Sequence, residues 1–227
     1  LNRPEIDVNS VFNGFTAIRI AAQRGNLEVF NALLKKLEID VNTIYSGFSP
    51  IVIAAQNNNS EMFNILINHP KIDIKHLFSG QFALNEAAAK GNLEIFKVLL
   101  EKQEIDINYH NQEGYTTLHC AIIGGNVEIV KMLLSRPEID VNITSYGKTA
   151  FQIAAELKNL EIVQLFLERS DVKFDPDTIY PNFDTDQMKI FLLSLSKKKR
   201  TENQEKTEFW NQLEKEFYFY FLNNFKI

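Results

Sequence analysis

A five-residue phrase returns about every 33 residues along this chain, and that rules out a fold built around one irregular core. It reads Glu5-Ile6-Asp7-Val8-Asn9, then Glu38-Ile39-Asp40-Val41-Asn42, then Lys71-Ile72-Asp73-Ile74-Lys75. It returns as Glu104-Ile105-Asp106-Ile107-Asn108 and Glu138-Ile139-Asp140-Val141-Asn142, with a worn copy at Asp171-Val172-Lys173-Phe174-Asp175. Self-similarity at this period means stacked supersecondary units, each burying its apolar face against its neighbours. Such stacks serve mostly as extended binding surfaces.

Within each unit a glycine is followed twelve residues later by asparagine: Gly14/Asn26, Gly47/Asn59, Gly80/Asn92, Gly114/Asn126 and Gly147/Asn159. Two short helical patterns lie in each period. The first runs from about Thr16 to Arg24 and is rich in alanine, with Ala21-Ala22, Ala54-Ala55, Ala87-Ala88 and Ala154-Ala155 at matched places. Small residues there let neighbouring helices approach closely. The second runs from about Leu27 to Lys36, apolar at Val29, Phe30, Leu33 and Leu34, which marks one buried stripe. Thr16, Ser49, Thr116 and Thr149 are placed to cap the first helix, and Pro50 follows Ser49 where its missing N–H is harmless. Gly25, Gly91 and Gly125 sit where a left-handed helix end is wanted, with Asn58 and Lys158 in their place elsewhere. The next asparagine caps the second helix, and Glu28, Glu94, Glu128 and Glu161 complement its dipole. The Ile-Asp-Val-Asn phrase is short, β-branched and alternating, and reads as an extended arm entering a turn.

The clearest copy is Gly114-Tyr115-Thr116-Thr117-Leu118-His119-Cys120-Ala121, continuing through Gly125-Asn126-Val127-Glu128-Ile129-Val130-Lys131-Met132-Leu133-Leu134. It resembles the ankyrin repeat, with Gly-x-Thr-Pro-Leu-His-x-Ala-Ala, Gly-His-x-Glu-Ile-Val-x-Leu-Leu-Leu and Asp-Val-Asn in succession. The resemblance covers roughly residues 1–175 and implies an all-α repeat solenoid: stacked helix-loop-helix units with short β-hairpin fingers. A partial repeat is expected at 1–9 and whole ones at 10–42, 43–75, 76–108, 109–142 and 143–175. The motif histidine survives only at His119, with Arg19, Val52, Asn85 and Gln152 replacing it, and Phe82 stands at one threonine position. Only the Asn108-to-Gly114 finger has the family's usual length. Residues 176–196 read as a degenerate capping segment, and 197–227 as a charged linker with an aromatic helix or tail.

Leu1-Asn2-Arg3-Pro4-Glu5 matches Leu134-Ser135-Arg136-Pro137-Glu138, so the chain opens at the end of a repeat and reads as a fragment. Apolar residues make up 45% and charged residues 23%, with a formal net charge of −5. Acidic and basic residues balance after residue 175, so the repeats carry the excess, which suits phosphate backbones poorly. One cysteine, Cys120, forms no internal disulfide and implies no oxidising compartment. No basic and apolar leader opens the chain, and the aromatic run Phe217 to Leu222 is too short to span a bilayer. The expectation is an intracellular monomer, cytoplasmic rather than nuclear, that engages neither nucleic acid nor membrane. Lys197-Lys198-Lys199-Arg200 reads as a solvated linker run, with a nuclear import signal as the sharper alternative.

Nothing points to catalysis or to a cofactor. His69 and His76 lie seven apart, outside metal-ligand spacing. The acidic residues recur with the repeat, whereas a catalytic pair would be unique. Ile123-Gly124-Gly125-Asn126 is a helix boundary, not a phosphate loop. Binding has more support. In the ankyrin family, partners dock on finger tips and on the exposed face of the first helix. The resemblance places Phe12, Tyr45 and Phe78 in an aromatic row on the fingers; either they anchor a partner or they stack to brace shortened fingers. It places Arg19, Gln23, Arg24, Val52, Gln56, Asn57, Asn85, Lys90, His119, Ile123, Gln152 and Glu156 on the helix face. These vary from copy to copy while the scaffold does not, as a specific, non-repetitive partner would require, although drift on a solvated surface gives the same pattern. His119 also reads as the motif histidine that ties turns together. The recurring asparagine, Asn9, Asn42, Asn108 and Asn142, is expected to shape the turn before each finger, and in this family it can be hydroxylated. The expected function is an interaction scaffold binding another protein. The alternative is a regulatory or substrate-recruiting segment of a larger kinase or ligase.

Overall fold

The computed structural model describes residues 7–44, 48–75, 80–111, 113–169, 171–173 and 215. The chain divides into two compact units, Leu1–Ile129 and Val130–Ile227. The expected capping segment and tail lie outside the described residues, Lys215 excepted.

In the first unit the helices come in pairs: α1 Ala17–Arg24 with α2 Leu27–Leu34, α3 Pro50–Gln56 with α4 Ser60–Ile67, and α5 Gly80–Lys90 with α6 Leu93–Leu100. α7 Thr117–Ile123 follows, and α8 Val127–Leu134 contains the boundary between units. The first helices of successive pairs pack side by side, α1 on α3, α3 on α5 and α5 on α7. Their alanines, Ala21-Ala22, Ala54-Ala55 and Ala87-Ala88, are buried at these contacts. Phe30, Phe63 and Phe96 of the second helices, one per repeat, are fully buried. Removing one such ring would cost about 3–5 kcal/mol.

The second unit is smaller in its described part. Strands β1 Thr144–Ser145 and β2 Lys148–Thr149 form an antiparallel hairpin against α9 Ala150–Glu156, which packs on α10 Leu160–Phe166. Phe151 and Phe166 meet edge-on at 5.4 Å between ring centres. Arg169 Nη1 donates to the Leu134 and Arg136 carbonyls at 2.8 and 3.1 Å, while its guanidinium pairs with Asp171 at 2.6 Å. Of these, the Leu134 carbonyl is one that the end of α8 leaves without a helical partner.

The punctuation explains why these segments are helices. Gly25, Asn58, Gly91, Gly125 and Lys158, at matched places, all take positive φ between 52° and 73°, the left-handed residue that ends the first helix. The asparagine that follows serves one of two tasks, and Asn92, expected to cap α6, makes no cap bond. Its Oδ1 accepts from the third helical N–H, as at Asn26, Asn59 and Asn159, at 3.0 to 3.1 Å. Its Nδ2 donates to carbonyls at the end of the preceding first helix: Asn92 to Ala55, and Asn126 to Ala88 at 2.7 Å and Ala89 at 3.1 Å. One residue type thus starts one helix and closes another.

The Ile-Asp-Val-Asn arm divides its labour differently from expectation. The aspartate shapes the turn, its Oδ1 accepting from the asparagine N–H at 2.8 to 2.9 Å at Asn9, Asn42, Asn108 and Asn142. The asparagine side chain reaches the next arm instead. Asn42 Nδ2 donates to the Lys71 carbonyl at 2.6 Å, and its Oδ1 accepts from Asp73 N–H at 2.9 Å. Asn142 does the same with Asp171 and Lys173. Ile39, Val41, Ile139 and Val141 are buried beneath. Lys75 stands where the third arm would carry this amide, and an ammonium offers no acceptor to the Asp106 N–H.

Gly80 departs from the expected pattern. It begins α5 rather than making a left-handed finger turn. Phe82 cannot cap, so no hydroxyl halts the helix there, and it starts three residues earlier than the matched helices α1 and α3. Gly80 is buried, and a Cβ on it would collide with the Ile74 carbonyl. The second helices end at Leu34 and its equivalents, α10 one residue earlier at Phe166, two residues or so short of the end expected from Lys36 and within normal fraying.

Candidate functional site

The fingers are built by turn length. In Phe12-Asn13-Gly14-Phe15 the two central residues have φ of 50° and 78°, and Phe12 and Phe15 exchange backbone hydrogen bonds at 3.0 Å. That is a two-residue type I′ hairpin, which needs φ > 0 at both central positions. Ser145-Tyr146-Gly147-Lys148 repeats it with φ of 49° and 77°. The longer finger ending at Gly114 closes differently: Asn111 N–H donates to the Tyr115 carbonyl at 2.8 Å, and Asn111 Oδ1 accepts from Glu113 and Tyr115 N–H groups. Phe12 is 78% exposed on its turn. Tyr45 and Phe78 lie outside the described residues. Tyr146, 76% exposed at a finger tip, was not anticipated. Its signal was its place immediately before the finger glycine, matching Asn13, rather than two before it.

The helix-face residues separate into two rows. Arg19, Val52, Asn85, His119 and Gln152 stand at one register, three residues after the helix-capping position, and do not form a free surface. Arg19 is buried, donates from Nη1 to the Gly14 carbonyl at 2.9 Å, and lies 4.6 Å from the centre of the Phe15 ring. Val52 is fully buried on α3, which packs against both α1 and α5. Asn85 is buried, its Oδ1 accepting from Thr117 Oγ1 of the next repeat at 2.7 Å. His119 is buried in a capping box: its N–H faces Thr116 Oγ1, and its Nδ1 accepts from Thr116 N–H at 3.3 Å. His119 Nδ1 also lies 2.7 Å from Thr116 Oγ1. Half-buried Gln152 makes the same box with Thr149. Thr16 and Ser49 occupy cap positions in extended conformation, but their hydroxyls make no cap bond. The expectation that this row faces a partner is therefore corrected for Arg19, Val52, Asn85 and His119. A side chain in the first helical turn folds back over the cap, toward the finger.

The second row stands at the helix ends. Gln23, Arg24, Asn57, Lys90 and Ile123 are exposed and Gln56 is half-buried, all at the ends of first helices that lie side by side in the first unit. Asn57 Nδ2 touches the Gln23 carbonyl at 3.5 Å, spanning neighbouring repeats. At Gly124, a Cβ would collide with the Ala89 carbonyl, so the row lacks a side chain where the repeats press closest. In the second unit Glu156 is exposed but pairs with Lys148 of the hairpin at 2.7 Å, and Leu157 beside it is also exposed.

Between the rows, burial pushes the Glu86 carboxyl above the usual carboxylate range and the Glu113 charge adds to this, while Lys90 and a hydrogen bond from Gln56 oppose it. Burial, with Glu86 and Glu113 nearby, pushes the Cys120 thiol up to about 12. A thiol so held is a small apolar filler, not a nucleophile. Among the described residues no three His, Cys, Asp or Glu side chains gather to hold a metal ion, and no helix is long and apolar enough to cross a membrane. What the exposed row offers is contact: mixed amide, cationic and aliphatic groups at fixed spacing on a rigid support.

No curated protein matches the chain. A family model for ankyrin repeats matches it in three overlapping copies, over residues 1–77, 51–145 and 84–178. With paired helices, left-handed helix ends and hairpin fingers recurring across the matched residues, the chain belongs to the ankyrin repeat family.

Proposed function

We propose that this chain binds another protein through the exposed row Gln23, Arg24, Asn57, Lys90 and Ile123, with half-buried Gln56 among them and Phe12 on the finger as an aromatic anchor. Ankyrin repeats are generally protein–protein interaction modules, typically without catalysis. The observation that carries the finer reading is the contrast in burial: one variable row is used up inside the scaffold, and the other is largely exposed at the ends of the first helices. A surface fixed before binding loses little conformational entropy on docking. Aromatic and arginine side chains such as Phe12 and Arg24 are the types that dominate interface energies. The chain's formal net charge of −5 suits a protein partner better than a phosphate backbone. The working state is a cytoplasmic monomer, with repeats at 10–42, 43–75, 76–108, 109–142 and 143–175.

The test is affinity capture from extract of the source cell with the parent chain and with Phe12→Ala/Arg24→Ala/Lys90→Ala, both first melted to show equal stability. A protein retained by the parent and lost by the variant, then rebound in purified form, supports the reading. A protein held equally by both contradicts it.

A further inference from the structure

The exposed row of the first unit carries a charge opposite in sign to that of the chain. The formal net charge is −5, and the repeats of that unit turn acidic side chains outward elsewhere. Asp7, Asp40, Asp73 and Asp106 are exposed on the arms, and Glu28, Glu61, Glu94 and Glu128 on the second helices. Along the ends of the first helices the order is Gln23-Arg24, Gln56-Asn57, Ala89-Lys90 and Ile123-Gly124. No acid stands in that row. Neither Arg24 nor Lys90 has a carboxylate within ion-pair distance among the described residues. Glu86 lies one turn back from Lys90 toward the finger, half-buried and hydrogen-bonded by Gln56, with Glu113 near it. Cations therefore hold the helix ends, and carboxyl groups border them on the finger side.

The spacing of the repeats sets the length of a matching ligand. The first helices in contact, α1 on α3, α3 on α5 and α5 on α7, stand about 8–10 Å apart. Arg24 and Lys90 are two such steps apart, about 16–20 Å. An extended strand rises about 3.3 Å per residue and covers that span in about five or six residues. Residues about six apart on a strand share a face. Exposed Asn57, midway, offers its amide to the strand's backbone, and exposed Ile123 lies one step beyond Lys90.

We infer that the row receives an extended acidic segment of a partner protein. One carboxylate pairs with Arg24, a second about six residues away pairs with Lys90, and an apolar side chain rests on Ile123. The warrant is charge complementarity: the row is cationic on an acidic chain, and Glu86 and Glu113 repel an acidic segment from the finger side and hold it to the helix ends. The inference rests on the reading that this row binds protein, and it adds the chemistry of what is bound.

The test is selection of a phage-displayed library of random peptides on the 227-residue chain. The expected consensus carries Asp or Glu at two places about six residues apart. A synthetic peptide of that sequence should bind at least about tenfold more weakly to Arg24→Glu/Lys90→Glu. A peptide of the same composition with its acids made adjacent should also bind the parent more weakly. Arg24→Gln/Lys90→Gln removes the charges without reversing them. It should lose part of the affinity, and it serves where the reversed charges disturb folding. A consensus without paired acids, whose binding falls in Asn57→Ala/Ile123→Ala, overturns the inference and leaves the row as a protein-binding site. Peptides held equally by the parent and every variant, or a library that yields no binder, overturn both.

Discussion

Two rows of the first helices vary equally from repeat to repeat, yet they have different fates. Arg19, Val52, Asn85 and His119 are buried; Gln23, Arg24, Asn57, Lys90 and Ile123 are exposed one turn further along the same helices. Variation within the array therefore does not by itself mark a docking surface. At the inner row each repeat ties its residue into the scaffold with different chemistry: guanidinium to carbonyl and ring in the first, an apolar plug in the second, an amide to the next repeat in the third, an imidazole cap in the fourth. At the outer row no such shared internal task recurs, and there the variation is free to serve a partner.

The sharpest way to break this comparison is to place one charge in each row of a single helix. Val52→Asp buries a carboxylate with no partner, and should cost more than about 4 kcal/mol and unfold much of the first unit. Asn57→Lys at the exposed end of the same helix should stay within about 1 kcal/mol; urea titration followed by circular dichroism distinguishes them. Next in size, Arg19→Ala and His119→Ala should each cost about 1–3 kcal/mol, through a lost bond and a gap in buried packing. Arg19→Lys should recover little, because an ammonium lacks the planar face that lies over Phe15. Smaller, and opposite in sign, Lys75→Asn should stabilise by about 1 kcal/mol, supplying an amide to the Glu104 carbonyl and Asp106 N–H as Asn42 does for its own neighbours. Slower hydrogen exchange at the Asp106 amide is its direct signature. Smallest of all, single alanine substitutions along the outer row should each stay within about 0.5 kcal/mol.

Much of the fold was legible in the sequence because the repeat states its punctuation several times over. The alanine pairs, the residue that ends each first helix and the asparagine that starts each second one recur at matched places, and local chemistry decides all three. The left-handed conformation at Lys158 shows position overriding residue preference. The site was less legible. That the row containing His119 turns inward follows from its place three residues after a cap. Thr116 with His119, and Thr149 with Gln152, carried that signal as two capping boxes, but Arg19 and Val52 disguised the register. The reach of Asn42 to the next arm could not be read locally, because its partners lie 29 and 31 residues away. Gly80 looked like the other finger glycines, and only the missing hydroxyl at Phe82 hinted that the helix would run back through it.

The most direct measurement joins stability and binding in one variant, Gln23→Ala/Arg24→Ala/Asn57→Ala/Lys90→Ala/Ile123→Ala, titrated against the purified partner and melted alongside the parent. The account predicts a melting temperature within about 5 °C of the parent and a dissociation constant at least about tenfold weaker, a loss of about 1.4 kcal/mol or more. An unchanged dissociation constant, or a melting temperature lowered as far as that of His119→Ala or beyond, would contradict the division of the helix face into a row that builds and a row that binds.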